Sequence, residues 1–199
     1  LSSFSKKKAE HILKKGVIKF CHSKETNCMV EDLEKLDDSV MNSYCIKIRQ
    51  KFTKSHENFI SLLPFARGKG KNWSVSNYYK LIDLIEKEYD DIRIVVLGTM
   101  ESFGEIKSRK VVDLCGKTNI EELASILLKS KIAIGADTGP MHLASVLQIP
   151  SVFIFGVSNI NETAPYIGQF SLVLNKDNPK NINNIKPESV FAEIKKWIK

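Results

Sequence analysis

The sequence lacks the patterns that mark membrane-spanning, secreted or zinc-binding proteins. No apolar run approaches the roughly 20 residues that a membrane-spanning helix needs, and the lysine-rich N-terminus lacks the apolar core of a signal peptide. The four cysteines form no C-x-x-C pair and have no histidine partner at zinc-ligand spacing. We therefore expect a soluble, cytoplasmic protein with reduced thiols and no metal site.

Motifs of nucleic-acid recognition are also missing. The chain has no RNP-like aromatic motif, no helix-turn-helix signal and no zinc finger. Its 30 basic and 23 acidic residues nonetheless give a net charge of +7, which suits an anionic partner. A nucleic acid, an anionic membrane surface and a phosphorylated substrate all fit this charge, and the missing motifs make nucleic acid the weakest of the three.

The length and composition are those of a globular protein. A chain of 199 residues with 43% hydrophobic and 27% charged residues can form one sizeable core, or one domain and part of another. We predict a Lys-, Ser- and Asn-rich helical or linker segment over residues 1–56 and an α/β domain over residues 57–199. Because the sequence opens at Leu1 rather than Met, we expect a fragment or a processed product.

From residue 58 onward, short apolar runs alternate with amphipathic stretches, which indicates a parallel sheet covered by helices. The predicted strands are 59–65, 92–98, 111–115, 131–136, 151–156 and 171–174. The predicted helices are 75–89, 101–109, 119–130, 139–148 and 187–199. This pattern predicts a doubly wound α/β domain, in which ligands bind outside the carboxyl ends of the strands.

The stretch GADTGPMHLA (135–144) carries the densest group of candidate ligand-binding residues. Gly139 permits a tight turn and the close approach of a ligand, and a helix N-terminus there offers free amides to a phosphate. Thr138 adds a hydroxyl and His142 an imidazole, whereas the Asp137 carboxylate would repel a diphosphate and is better suited to orient His142 or to hold sugar hydroxyls. The competing interpretation is structural: Asp137 and Thr138 cap the helix and His142 is an interior residue.

The stretch ARGKGKNW (66–73) follows the first predicted strand. Its cations Arg67, Lys69 and Lys71 alternate with glycines in a flexible loop that can reach phosphate oxygens, although it is not a P-loop. A solvated basic loop is the alternative interpretation. Further candidates lie at other strand ends: Glu101 for ribose hydroxyls, Thr118 for a base pocket, and polar residues of the connection 155–168 for a sugar.

Taken together, these motifs resemble the C-terminal domain of the heptosyltransferase family of glycosyltransferases. The resemblance covers roughly residues 58–199 and includes DTGPMHLA, the FG and TAPY-G segments, LCGKTNIEELA (114–124), and Pro64, Lys71 and Trp73. It implies one Rossmann-like half of a two-domain GT-B enzyme, with residues 1–56 at the junction to the N-terminal domain. Such enzymes use a nucleotide-sugar donor, typically ADP-heptose, and transfer the sugar to lipopolysaccharide core or a related glycan.

The resemblance also implies a role for each candidate residue. Lys71, Thr138, Gly139 and His142 would hold the diphosphate, and Asp137 would position the donor. Glu101 would lie near the ribose, and the backbone around Lys117 and Thr118 against the base. Transfer would be metal-independent and would need no cofactor besides the donor.

The sequence departs from the family pattern in two respects. Val157 and Ser158 replace the usual Pro and Thr after FG, and Ser74 replaces the usual Pro after K-x-W, which puts the donor identity in doubt. The N-terminal domain, which carries the acceptor site and the catalytic base, is largely absent. We therefore assign no catalytic residue, and expect donor binding without efficient transfer by this chain alone.

Two other functions fit the same residues. One is a non-catalytic nucleotide-sugar-binding or split-enzyme subunit that needs an N-terminal-domain partner chain, and the other is a nucleotide-sugar epimerase of similar build. For the transferase, the net charge suits an anionic lipid-linked glycan and a peripheral position at the inner face of the inner membrane.

Overall fold

The structure is a computed structural model, and it describes residues 58–99, 103–105, 107–165, 168–175, 178 and 181–198. The predicted segment 1–56 lies outside the described residues. The strands are β1 (Phe59–Leu63), β2 (Arg93–Val96), β3 (Val111–Asp113), β4 (Ala133–Ala136), β5 (Ser151–Phe155) and β6 (Phe170–Leu174). The helices are α1 (Val75–Glu88), α2 (Ile120–Lys129), α3 (Gly139–Val146), α4 (Ile160–Thr163) and α5 (Pro187–Ile194), with a 3₁₀ turn at Ile182–Asn184.

The six strands form one sheet in the order β3-β2-β1-β4-β5-β6, and every neighbouring pair is parallel. The chain builds outward from β1 to β3, then returns to the centre and builds in the other direction from β4. The reversal falls between β1 and β4, which is the switch point of a Rossmann-type sheet. The predicted doubly wound α/β fold is confirmed.

Burial explains why the central strands are continuous apolar runs. All five residues of β1 and all five of β5 are buried, because helices cover both faces of the sheet. On one face, Ile60, Leu62 and Ile94 share a core with the buried stripe of α1, in which Tyr78, Leu81, Ile82 and Ile85 face inward as predicted. On the other face, Leu63 and Phe153 pack with residues of α2 and α3.

Two helix starts are capped by hydroxyl side chains, of which Thr138 was a predicted cap. Ser74 caps α1 by accepting from the Asn77 N–H at 3.2 Å, and Thr138 caps α3 by accepting from the Met141 N–H at 3.3 Å. Pro140 occupies the first turn of α3, where its missing N–H costs nothing. No described helix is long and apolar enough to cross a membrane.

The predicted helix at 101–109 is wrong for the part that the structure describes, where residues 103–105 and 107–110 are irregular. Phe103 turns into the core, packs its ring edge-on against Tyr78 and Tyr79, and donates its N–H to Asp113 at 2.9 Å. Gly104 has a φ of +107°, which no α-helix contains. Burial of one aromatic ring therefore overrides the local helix pattern.

Other element bounds differ by a few residues. The predicted strand 111–115 stops at Asp113. The Asp113 side chain accepts from the Cys115 N–H at 2.9 Å, and this bond turns the chain. The final helix ends at Ile194, several residues before the predicted end. The connection 155–168, predicted as a loop, contains the single turn α4.

The Tyr78 hydroxyl is buried without a hydrogen-bond partner among the described residues. We predict that Tyr78→Phe stabilises the chain by about 1 kcal/mol, because it removes an unpaired polar atom from the core and leaves the ring in place. Tyr79→Phe is the matched control, since the Tyr79 hydroxyl donates to the Phe103 carbonyl at 3.4 Å. Urea denaturation measures both, and a Tyr78→Phe protein less stable than wild type would contradict the expectation.

Candidate functional site

Three loops meet at the carboxyl ends of the central strands. Residues 64–74 follow β1, residues 137–138 follow β4, and residues 156–159 follow β5. These strands are neighbours in the order β1-β4-β5, so their loops lie side by side at the switch point. Polar and charged side chains from all three loops converge there on one carboxylate.

That carboxylate belongs to Asp137, the first residue after β4. Its side chain is only 1% exposed. Its Oδ2 accepts from Lys71 Nζ at 2.6 Å and from the Ser158 hydroxyl at 2.7 Å, and its Oδ1 lies 2.8 Å from His142 Nε2. A buried carboxylate is tolerated only when paired and hydrogen-bonded, and these donors supply both conditions. We call Asp137, Lys71, His142 and Ser158 the Asp137 cluster.

Lys71 reaches this cluster because its loop is held at both ends. Asn72 closes the loop on Ala66, with its Oδ1 accepting from the Ala66 N–H at 2.6 Å and its Nδ2 donating to the Ala66 carbonyl at 3.0 Å. Trp73 is buried and donates its indole N–H to the Ile185 carbonyl at 3.0 Å. The Lys71 side chain, 24% exposed, therefore turns toward Asp137 while retaining access to a ligand.

The other two cations of the basic loop point elsewhere. Arg67 and Lys69 are exposed, so the structure separates the predicted group of three into one inward lysine and two outward cations. The interpretation as a solvated basic loop holds for Arg67 and Lys69. The ligand interpretation remains for Lys71.

The loops after β1 and β5 touch each other beside the cluster. A Cβ atom on Gly156 would lie 2.7 Å from the Gly70 carbonyl oxygen, and one on Gly70, whose φ is +73°, would lie 2.9 Å from Val157. Only glycine allows the two backbones to approach this closely. Val157 is 43% exposed, so an apolar side chain lies beside the charged cluster at the surface.

The N-terminus of α3 offers one backbone donor at the same edge. Pro140 has no N–H, the Met141 N–H is capped by Thr138, and the His142 N–H bonds to the Thr138 carbonyl at 3.1 Å. The Gly139 N–H has no acceptor within the described part of the chain, and a Cβ on Gly139 would meet nothing within 4 Å. Gly139 is thus an exposed donor in open space at the positive end of a helix, where an anion is stabilised.

This geometry sharpens two of the predictions. The Gly139 φ lies outside the left-handed region, so the turn there does not use the backbone freedom that glycine permits, whereas open space for an approaching ligand is present. Thr138 is both a helix cap, as the structural interpretation has it, and part of the cluster edge. Its hydroxyl already accepts from Met141 and retains its own proton for a further acceptor.

His142 lies behind Asp137 in the first turn of α3. It is 6% exposed, and its ring packs against Phe153 at 5.6 Å between centroids. Because an ionised carboxylate only accepts hydrogen bonds, Nε2 must carry the proton that it shares with Asp137. His142 therefore anchors Asp137, and its predicted contact with a diphosphate stays a prediction.

The remaining candidates lie away from the cluster or outside the described residues. Lys117 and Thr118 follow β3, three strands away from β4 and hence roughly 14 Å along the sheet edge. Lys117 folds back to donate from Nζ to the Asp113 carbonyl at 2.9 Å. Glu101 lies outside the described residues.

Ser158 is the cluster member whose partner the sequence did not predict. It was one of several polar candidates for a sugar in the connection 155–168, and only the structure shows its hydroxyl on Asp137. A hydroxyl within three residues of the end of a strand next to the switch point is the signal that would have found it.

The fold and site define a Rossmann-type domain with a cationic, amide-bearing edge at its switch point. The chain belongs to Glycosyltransferase family 9 (heptosyltransferase), which it matches over residues 5–191. The family resemblance is confirmed.

Curated heptosyltransferases are similar to this chain in sequence over about half of their own length. Lipooligosaccharide heptosyltransferase 2 of Campylobacter jejuni is 28% identical over 168 residues, which is 77% of this chain and 45% of that protein. A second heptosyltransferase 2 from another strain of that species is covered to 53%, so the chain spans about half the length of the curated relatives it matches.

Among solved structures, Escherichia coli ADP-heptose LPS heptosyltransferase II superposes with a TM-score of 0.63 at 20% identity, covering 82% of this chain and 52% of that one. Escherichia coli heptosyltransferase WaaC with ADP also gives 0.63, at 16% identity and with 82% and 50% covered. At such identities the structural likeness concerns the fold alone.

A substitution at Gly139 tests whether this residue binds an anion or is needed for folding. We predict that Gly139→Ala leaves the melting temperature within about 2 °C of wild type, since the new methyl group meets open space and alanine favours a helix. The methyl group would obstruct the predicted diphosphate on the Gly139 amide, so the affinity for inorganic pyrophosphate measured by calorimetry should fall by roughly tenfold. Unchanged pyrophosphate affinity would contradict a diphosphate contact at Gly139.

Cys115 should be inert toward thiol reagents. Burial raises the pKa of its thiol to about 12, and the carboxylate of Asp113 adds to the rise. Because alkylation requires the thiolate, we predict that Cys115 reacts with iodoacetamide at least about 100-fold more slowly than a free cysteine at pH 8. Because the folded chain favours the neutral thiol, ionisation of Cys115 in the unfolded chain lowers the free energy of unfolding as the pH rises from about 9 toward 12. Peptide mass spectrometry measures the reaction, and rapid modification of folded protein would contradict it.

Proposed function

We propose that this chain is the donor-binding half of a glycosyltransferase that transfers a heptose from ADP-heptose to lipopolysaccharide core or a related glycan. Membership of the heptosyltransferase family supports the reaction class. The observation that carries the proposal is the convergence of Lys71, the Gly139 amide and Thr138 at the switch point of the sheet. This combination of one cation, one amide and one hydroxyl is suited to a diphosphate.

The diphosphate would lie over the N-terminus of α3. Lys71 supplies a full positive charge, and the Gly139 N–H adds a donor at the positive end of the helix. In the transfer step the bond between the sugar carbon and the diphosphate oxygen breaks, and negative charge accumulates on the departing diphosphate. Groups already aimed at that charge stabilise the transition state more than the ground state.

Asp137 would act as a positioning group rather than as a base. Its carboxylate is 1% exposed and already accepts from Lys71 and Ser158, so it presents little surface to an incoming hydroxyl. Its charge is offset by Lys71, which reduces its repulsion of the diphosphate. No catalytic base is assigned in this chain.

The nucleoside would extend along the sheet edge toward β3. The loop after β3 holds Lys117 and Thr118, and β3 lies roughly 14 Å from β4, the strand that Asp137 follows. This separation allows the phosphates to bind at the switch point while the base reaches the backbone of the β3 loop. In this arrangement transfer requires no metal, because Lys71 and the amide take the place of a bound cation.

The acceptor would be an anionic lipid-linked glycan at the inner face of the inner membrane. The net charge of +7 favours a peripheral approach to such a surface. Arg67 and Lys69 are exposed on the loop that carries Lys71, so they add positive charge next to the donor. An N-terminal-domain partner chain remains an alternative source of the acceptor site.

The two lysines of the basic loop provide a matched test. We predict that Lys71→Ala weakens ADP binding by roughly 10- to 100-fold, because a charged hydrogen bond to phosphate is lost. Lys69→Ala, two residues away in sequence and exposed, should change the affinity less than about twofold. Isothermal calorimetry with ADP measures both, and a thermal melt of each variant confirms that it is folded.

The same measurement with UDP and GDP tests the base. ADP should bind most tightly of the three if the donor is ADP-heptose. If none of the three nucleotides binds to the wild-type chain, the proposed function is wrong. If Lys69→Ala and Lys71→Ala weaken binding equally, the affinity comes from the charge of the loop and not from the Asp137 cluster.

A further inference from the structure

The Asp113 carboxylate joins two connections at the edge of the sheet toward which the nucleoside is proposed to extend. Its Oδ2 accepts from the Phe103 N–H at 2.9 Å, and its Oδ1 accepts from the Cys115 N–H at 2.9 Å. Phe103 belongs to the connection after β2, and Cys115 belongs to the loop after β3. Each carboxylate oxygen therefore serves a different connection, and one side chain fixes the position of both.

Further contacts hold the two connections beside Asp113. Phe103 is buried, and its carbonyl accepts from the Tyr79 hydroxyl at 3.4 Å. The Gly116 N–H donates to the Gly98 carbonyl at 2.8 Å, so the two connections also meet backbone to backbone directly after their strands. Gly116 has a φ of +70°, which glycine adopts without strain. The described parts of the two connections thus form one unit around Asp113.

This unit lies on the nucleoside side of the proposed donor site, away from the Asp137 cluster. In the sheet, β2 and β1 lie between β3 and β4, which places β3 roughly 14 Å from the strand that Asp137 follows. A substitution at Asp113 should therefore alter contacts to a nucleoside and leave the groups around Lys71 in place.

We infer that Asp113 is a positioning residue for the nucleoside of the donor. By holding the connection after β2 and the loop after β3 at a fixed spacing, its carboxylate lets both contact one nucleoside at the same time. Asp113 acts through these two connections and need not touch the ligand. This inference rests on the proposed donor site and concerns its nucleoside half.

The first test is Asp113→Asn in the whole 199-residue chain. Asparagine has one accepting oxygen, so it can serve only one of the two N–H groups that Asp113 binds. ADP affinity measured by calorimetry should fall by roughly fivefold or more. The affinity for inorganic pyrophosphate, which has no nucleoside, should stay within about twofold of wild type. Loss of a negative charge would by itself favour an anionic ligand, so weaker ADP binding would not come from the charge.

Asp83→Asn is the matched control, because Asp83 is exposed in α1 and the substitution changes the charge in the same way. It should bind both ligands as wild type does. A thermal melt of each variant establishes that binding is measured on folded protein, well below its melting temperature.

Hydrogen exchange of the wild-type chain gives a second measurement, which does not depend on the folding of any variant. ADP should slow the exchange of the Phe103 and Cys115 amides, because a nucleoside bound against both connections suppresses their local opening. Pyrophosphate should leave the exchange of these amides unchanged. Equal protection by the two ligands would contradict the inference.

The outcomes separate this inference from the proposed function. If wild type binds ADP no more tightly than pyrophosphate, or if Asp113→Asn weakens both ligands equally or neither, the role of Asp113 is overturned while the diphosphate site stands. If wild type binds neither ligand, the proposed function and this inference both fail.

Discussion

The buried carboxylate of Asp137 is the constraint on which the site depends. An isolated charge at 1% exposure would be prohibitively unfavourable, so the surrounding chain must deliver donors to it. Those donors come from the loop after β1, the first turn of α3 and the loop after β5. A buried ion pair contributes little net stability compared with apolar packing, but here it determines which loops meet and where their side chains point.

The sheet topology makes this convergence possible. The carboxyl ends of β1 and β4 are adjacent although the two strands are separated by about 70 residues of sequence, because the chain reverses direction at the centre of the sheet. The apolar layers on both faces hold those strand ends rigidly, with Leu62 and Ile134 on one side and Leu63 and Phe153 on the other. Packing therefore supplies the framework, and electrostatics arranges the loops that the framework carries.

Sequence patterns predicted the framework better than the details. Short apolar runs identified all six strands, and the runs are clearest in β1, β4 and β5, which are buried along their whole length. The helix predicted near 101–109 failed because Phe103 gains more from burial among aromatic rings than from a helical turn. The family resemblance came from local motifs such as DTGPMHLA, whose residues follow one another through the turn after β4 into α3.

The site was predictable only in part. Asp137, Lys71 and His142 were all candidates, but the pairing of Lys71 with Asp137 spans 66 positions and no local pattern encodes it. Ser158 was indistinguishable from its polar neighbours until the strand order placed β5 beside β4. The division of the basic loop into inward Lys71 and outward Arg67 and Lys69 depends on the turn at Gly70 and on the anchoring of Trp73. Such properties belong to the folded arrangement rather than to any short segment.

The C-terminal part of the chain anchors the loop that carries Lys71. Trp73 donates to the Ile185 carbonyl, 112 positions later, and the Ser74 N–H donates to the Asn183 side chain at 2.8 Å. Long-range contacts of this kind form late, because closing a long loop costs entropy before any contact repays it. The loop that carries Lys71 is therefore completed only after the 3₁₀ turn is in place, so the position of Lys71 depends on the docking of a segment more than 100 residues later in the chain.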